Sequence, residues 1–175
     1  MKTILFLGFI AVLTFSCTNN DQKSQAIDRK QIENELKSSI KSRFFAWQEN
    51  DYETYIAGYH VHWKRWGMRE DVLNTYSDMR GFWDYMKANE ESQEMEINLV
   101  DFDQFGDGNA VLVHYTATET FKWIGPDNQR GWKTGDIYKG MLRWSDVMVK
   151  EDGKWLCIGG HRDLSQPATE LIKLN

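Results

Sequence analysis

The chain has 175 residues, a formal net charge of −5 at pH 7, two cysteines, two prolines and eight tryptophans. An acidic balance gives no electrostatic footprint for nucleic acid. Cys17 and Cys157 form no internal disulfide framework once Cys17 is modified, and eight tryptophans suit either a large aromatic core or a ring-lined cavity.

Lys2 precedes an apolar run from Ile4 to Phe15, followed by Ser16-Cys17 and the polar stretch TNNDQKSQ. The run is too short for a membrane span and has the layout of a secretory signal. The segment LTFSC resembles the lipobox of bacterial lipoproteins, in which the cysteine is acylated and becomes the first mature residue. The resemblance implies a signal peptide over residues 1–16, lipid attachment at Cys17, a tether over 17–25 and a lipid-anchored location in the bacterial cell envelope. Thr18 is not an aspartate, which favours the outer membrane. The alternative is ordinary secretion, with Cys17 marking only the cleavage site.

From Ala26 to Glu49, Ile32, Leu36, Ile40, Phe44 and Trp47 recur every three to four residues, while Lys30, Glu33, Lys37, Lys41 and Arg43 fill the other faces. This spacing predicts a long amphipathic helix. After a break at Asn50-Asp51, Tyr52, Tyr55 and Tyr59 fall on one side of a short second helix. Ser77 or Asp78 can cap a third, whose apolar face is Met79, Phe82, Trp83 and Met86. Beyond Gln93 the period changes to two. Strands are expected over Met95–Gln104, Ala110–Trp123, Lys133–Lys150 and Trp155–Arg162, with bends at Gly135 and Gly140 and a hairpin turn at Asp152-Gly153. Helices followed by an antiparallel sheet make an α+β domain, with the helices on one face of a curved sheet.

The long helix, ENDYETYIAGYH, a third helix with FWDYM, and strands ending in VMVKEDGKWLCIGGHRDLS resemble the nuclear transport factor 2-like superfamily, which includes the SnoaL-like domains. The turn and strand Asp152-Gly153-Lys154-Trp155 followed by His161-Arg162 are similar to the last strand of the calcium/calmodulin-dependent kinase association domain, with Asp163 in place of a serine. The resemblance covers residues 26–165 and leaves 166–175 as a C-terminal tail. It implies a cone: a curved antiparallel sheet wrapped around the long N-terminal helix, with a pocket at the wide end. It also implies an arginine at Arg162 lining that pocket. Fold alone does not fix function.

Candidate ligand-binding residues are Tyr55, Tyr59, Trp63, His114, His161 and Arg162. Alternation puts Leu156, Ile158, Gly160 and Arg162 on one face, so Gly160 would clear space beside Arg162. Arg162 needs an anion there, either a ligand or a pocket acid such as Glu119 or Asp136. Alternatively, it pairs at the surface with Asp163 or Asp136. Steroid isomerases of this fold place a carboxylate after the second helix, where GYHVHWKRW offers none. His60 and His62 lack a third metal ligand at a recognisable spacing, and no nucleophile elbow or phosphate loop is present, so neither metal nor cofactor is expected. Cys157 is expected to be a small core residue. The favoured reading is a lipid-anchored binding or assembly domain for a small, partly apolar, anionic molecule. The alternative is a SnoaL-like lyase, isomerase or hydrolase using histidine and tyrosine. Superfamily members commonly pair through the outer face of the sheet, and Trp123, Trp132 and Trp144 suggest surplus apolar bulk there, so a homodimer is expected.

Overall fold

The computed structural model describes residues 20–67, 71–128, 131–164 and 172–174. The signal segment, Cys17 and the start of the expected tether lie outside the described residues. Helix α1 (Asn20–Gln48) begins before Ala26, so residues 20–25 are helical. Leu36, Ile40 and Trp47 are buried along it, as the spacing requires. Arg43 departs from expectation. It falls seven residues after Leu36 and three after Ile40, which puts it on the buried stripe.

Asp51 caps the short α2 (Tyr52–Ile56), its carboxylate accepting the Thr54 N–H. Tyr59 does not continue this helix. It opens β1 (Tyr59–Trp66), which pairs with β2 (Leu73–Thr75). A single 3₁₀ turn (Tyr76–Asp78) leads into α3 (Met79–Asn89). The cap comes from neither expected position acting alone: the Asp78 carboxylate reaches back to accept the N–H and hydroxyl of Thr75.

Four long strands follow: β3 (Glu90–Phe105), β4 (Ala110–Trp123), β5 (Ile137–Glu151) and β6 (Lys154–Leu164). Asp152 and Gly153 both have positive φ, 48° and 77°, which a two-residue hairpin needs to match the sheet twist. The strand order is β2-β1-β6-β5-β4-β3. The sheet is mixed, because β1 runs parallel to β6. The expected tail returns to it: β7 (Ile172–Lys173) pairs with β5, and the Lys173 ammonium meets Asp136 at 2.9 Å.

The inner face of the sheet closes on α1. Leu36 and Ile40 pack with Val111, Val113, Tyr115, Trp144, Met148 and Trp155, and burying each aliphatic chain contributes roughly 1.5–3 kcal/mol. At the wide end, Trp47, Tyr55, Tyr59, Trp63, Met79, Trp83 and Cys157 form a second cluster. Trp123 and Trp144 are buried inside, and Trp132 packs on Phe121 and Trp123. Of the three tryptophans expected to supply apolar bulk at a dimer interface, Trp123 and Trp144 are interior, because the odd-numbered face of β4 and the even-numbered face of β5 both turn inward, while Trp132 is partly buried in the loop between them.

Candidate anion site in the cone

Strand β6 reaches the wide end through a bulge. Met148 pairs with Cys157 and Val147 with Gly159, leaving Ile158 as an extra residue. The bulge reverses the alternation. Trp155 and Cys157 are buried before it, and Gly160 and Arg162 stand opposite the inward Asp146 and Trp144 after it. Simple alternation had grouped Arg162 with Leu156 and Ile158; the extra residue breaks that grouping.

The floor of the site is a buried polar network, in which Arg43 Nε and Asp146 Oδ1 have no hydrogen-bond partner among the described residues. Arg43, 2% exposed, meets Asp146 at 3.3 Å, and the Tyr115 hydroxyl donates to the same carboxylate oxygen at 2.7 Å. Burial pushes the Tyr115 hydroxyl well above its ordinary pKa, and the Asp146 charge adds to this.

Above this floor two further arginines meet over one ring. The Arg65 guanidinium carbon lies 4.8 Å from the centre of Trp144 and 5.0 Å from that of Trp63. That of Arg162 lies 5.5 Å from Trp144 and 5.8 Å from Phe82. Such contacts favour a cation but neutralise nothing. Among the described residues neither arginine forms a salt bridge. Among the described residues, four buried nitrogens above the floor have no hydrogen-bond acceptor: Arg65 Nη1, Arg162 Nε, Trp63 Nε1 and Trp144 Nε1. All four are donors. Burial, with the Arg65 charge second, lowers the Arg162 pKa to about 10.

Four of the expected residues come together. Tyr55, Tyr59 and Trp63 are buried beside Arg162's end of the cone, the Tyr59 hydroxyl donating to that of Tyr55 at 3.2 Å. Burial raises the Tyr55 pKa well above normal. His114 and His161 do not join them. His114 lies on the outer face, its Nδ1 2.9 Å from Ser145 Oγ, and His161 is exposed opposite Ser145 in register. Even positions of β4 and odd positions of β6 beyond the bulge face away from the cone. Of the acids expected as partners for Arg162, Asp163 pairs with Arg143, Asp136 with Lys173 and Tyr138, and Glu119 accepts from Trp47 without forming a salt bridge to Arg162 among the described residues.

Spacing did not identify Arg43, Arg65, Glu90, Phe82 or Asp146 as members of this end of the cone. Arg65 was accessible to it, since a residue two places after Trp63 on a strand shares its face. His60 bonds Glu151 at 3.2 Å, and the described residues contain no group of three or more metal-ligating side chains. Cys157 is fully buried, and burial pushes its thiol up to about 12. A separate groove of about 430 Å³, lined in part by Phe45, Gln93, Met95 and Lys139, shares no residue with the arginine cluster.

No family model matches the sequence, and no curated protein matches it. Solved structures do. A ketosteroid isomerase-like protein from Erwinia carotovora atroseptica is 11% identical with a TM-score of 0.62, over 77% of this chain and 96% of that one. A hexachlorocyclohexane dehydrochlorinase is 6% identical with a TM-score of 0.61, over 81% of this chain and 90% of that one. The association domain of C. elegans CaMKII is 18% identical with a TM-score of 0.53, over 83% of this chain and 99% of that one. The chain therefore has the cone fold of nuclear transport factor 2-like proteins, and at these identities the likeness is one of fold.

Proposed function

We propose that the protein binds a small aromatic carboxylate in the wide end of the cone. Arg65 and Arg162 would hold the carboxylate, and the ring would lie among Tyr55, Trp63, Trp83 and Trp144. The observation that carries this reading is the set of four buried nitrogen donors without an acceptor among the described residues, two of them on arginines that form no salt bridge there. A buried unpaired charge is costly, and a carboxylate matches the planar fork of a guanidinium.

The test is calorimetry with benzoate, phenylacetate and their amides. The carboxylates should bind and the amides should not. Arg162→Ala should weaken benzoate binding by roughly 1.5–3 kcal/mol, the range for a charge-assisted hydrogen bond. Binding of both classes alike, or an unaltered affinity in Arg162→Ala, overturns the reading.

The histidine–tyrosine version of acid–base chemistry has no support from geometry, since His114 and His161 lie outside the cone. The lipobox-like LTFSC supports attachment of the domain to the cell envelope through Cys17. Cys17→Ser should then move the protein from the detergent phase to the aqueous phase, and equal partitioning of the two forms contradicts anchoring.

A further inference from the structure

Of the arginines among the described residues, Arg29, Arg43, Arg80 and Arg143 each form a salt bridge with an aspartate. Arg65 and Arg162 form none there, and adjacent strands bring these two together. β1 runs parallel to β6 with Lys64 opposite Gly159, so both side chains leave neighbouring strands toward the inside of the cone. Their guanidinium carbons lie 4.8 and 5.5 Å from the centre of the same Trp144 ring. They therefore stand no farther apart than those two lengths laid end to end. Like charges that close repel, and more strongly where water is excluded.

The donors that lack an acceptor among the described residues sort into two half-sites. On β1, Arg65 is 8% exposed and its Nη1 is without an acceptor. Its guanidinium carbon lies 5.0 Å from the centre of Trp63, whose Nε1 also lacks one. On β6 and β5, Arg162 Nε and Trp144 Nε1 form the second such set. Each half combines one guanidinium N–H with one indole N–H. A carboxylate has two oxygens that only accept, and so matches one half.

No carboxylate of the described residues pairs with either half. Asp146 receives Arg43 and Tyr115, and Glu119 accepts from Trp47 and Ser92. Neither Glu119 nor Glu90 forms a salt bridge with Arg65 or Arg162 there. A single carboxylate held between both guanidiniums would bring one negative charge to two positive ones. The charge left over would remain unmatched beside buried rings, which is costly. We propose that the ligand of this site is an aromatic dicarboxylate, one carboxylate meeting Arg65 and the other Arg162 across Trp144. The inference rests on the anion reading above and adds to it the second charge.

The full mature chain is titrated by calorimetry at neutral pH with benzoate, with phthalate, isophthalate and terephthalate, and with the monomethyl ester of each diacid. The three diacids set the second charge at three distances on one ring. Each monoester keeps the bulk and removes that charge. The best diacid should bind at least about tenfold more tightly than its own monoester, the smallest gain expected of a charge-assisted hydrogen bond. In Arg65→Met and in Arg162→Met that ratio should fall to about one. The wild-type comparison decides the matter even where a variant fails to fold. If benzoate binds and no diacid exceeds its monoester, the second charge is overturned and the anion reading stands. A ratio that survives in both variants overturns the assignment to these two arginines. Phenyl phosphate carries both charges on one group, and tighter binding of it than of every diacid overturns the two half-sites. Failure of benzoate, phenylacetate and all three diacids to bind removes the anion reading and the dicarboxylate together.

Discussion

Gly160 lies directly against Asp146: a Cβ at Gly160 would stand 2.5 Å from Asp146 Oδ1 and 2.5 Å from the Ser145 carbonyl oxygen. The glycine pair before His161-Arg162 is thereby explained. Gly160 admits the buried carboxylate that receives Arg43 and Tyr115. Gly159 admits β1, whose Lys64 carbonyl oxygen would be 2.8 Å from a Cβ there. Both glycines serve close approach, and Arg162 enters the cone just beyond them.

Gly160→Ala should therefore destabilise the protein by about 1–3 kcal/mol, the cost of forcing an extra methyl into a packed site. Gly81→Ala is the contrast. It lies in α3 with nothing within 4 Å of its Cβ position, and should gain up to about 1 kcal/mol from helix propensity. Urea unfolding of both variants checks the pair, and a neutral Gly160→Ala contradicts the close approach.

Breaking the Arg43–Asp146 pair should cost more than removing it whole. Asp146→Leu alone strands the Arg43 charge in a site 2% exposed, a loss of about 3–5 kcal/mol. Arg43→Met combined with Asp146→Leu should recover most of that loss. A double variant as unstable as the single one contradicts the account.

Arg162→Met should raise the stability of the ligand-free protein. The native side chain is half-buried with its guanidinium Nε fully buried, has no salt bridge among the described residues, and is destabilised by Arg65. Removing the charge should gain about 1 kcal/mol, net of the lost contacts with Trp144 and Phe82. A structural arginine would give the opposite sign. Thermal melts with and without benzoate separate the two, since only the wild type should gain stability from the ligand.

Glu35 and Glu90 should have opposite effects on stability across pH. Glu35 accepts from Lys150 at 2.6 Å and from Trp155 at 3.0 Å, and the Lys150 hydrogen bond leads in lowering its pKa to about 2. Its stabilisation is fully present above the unfolded carboxylate value near 4.5 and is lost as pH falls toward 2. The group is partly exposed, so the effect of Glu35→Gln should be about 1 kcal/mol at neutral pH and vanish in acid.

Glu90 is raised instead, chiefly by burial. The folded state holds its proton when the unfolded state has lost it, so stability falls as pH rises from about 4.5 toward the folded value. Glu90→Gln should leave stability unchanged in acid and increase it at neutral and higher pH. Denaturation midpoints across the range decide both carboxylates, and parallel profiles for the two variants contradict the assignment.

Periodicity alone made most of the scaffold legible. Leu36, Ile40 and Trp47 declare α1, Val111 to Trp123 declare the inner face of β4, and Asp152-Gly153 declares a turn, because each depends on local backbone geometry. Tyr55, Tyr59, Trp63 and Arg162 were identifiable as members of one end of the cone. The rest depended on contacts far apart in sequence. The Ile158 bulge reverses which side chains of β6 enter the cone, and nothing local in an apolar strand announces an extra residue. Arg43 meets Asp146 across 103 residues, and Trp47 meets Glu119 across 72, in a chain with abundant charged residues and no spacing rule to select these. Local sequence determined which segments are helix and strand, since that choice is made by neighbouring residues. Only the tertiary structure decided which charges are stripped of water and left facing one another, since burial depends on what packs above a residue rather than on what precedes it.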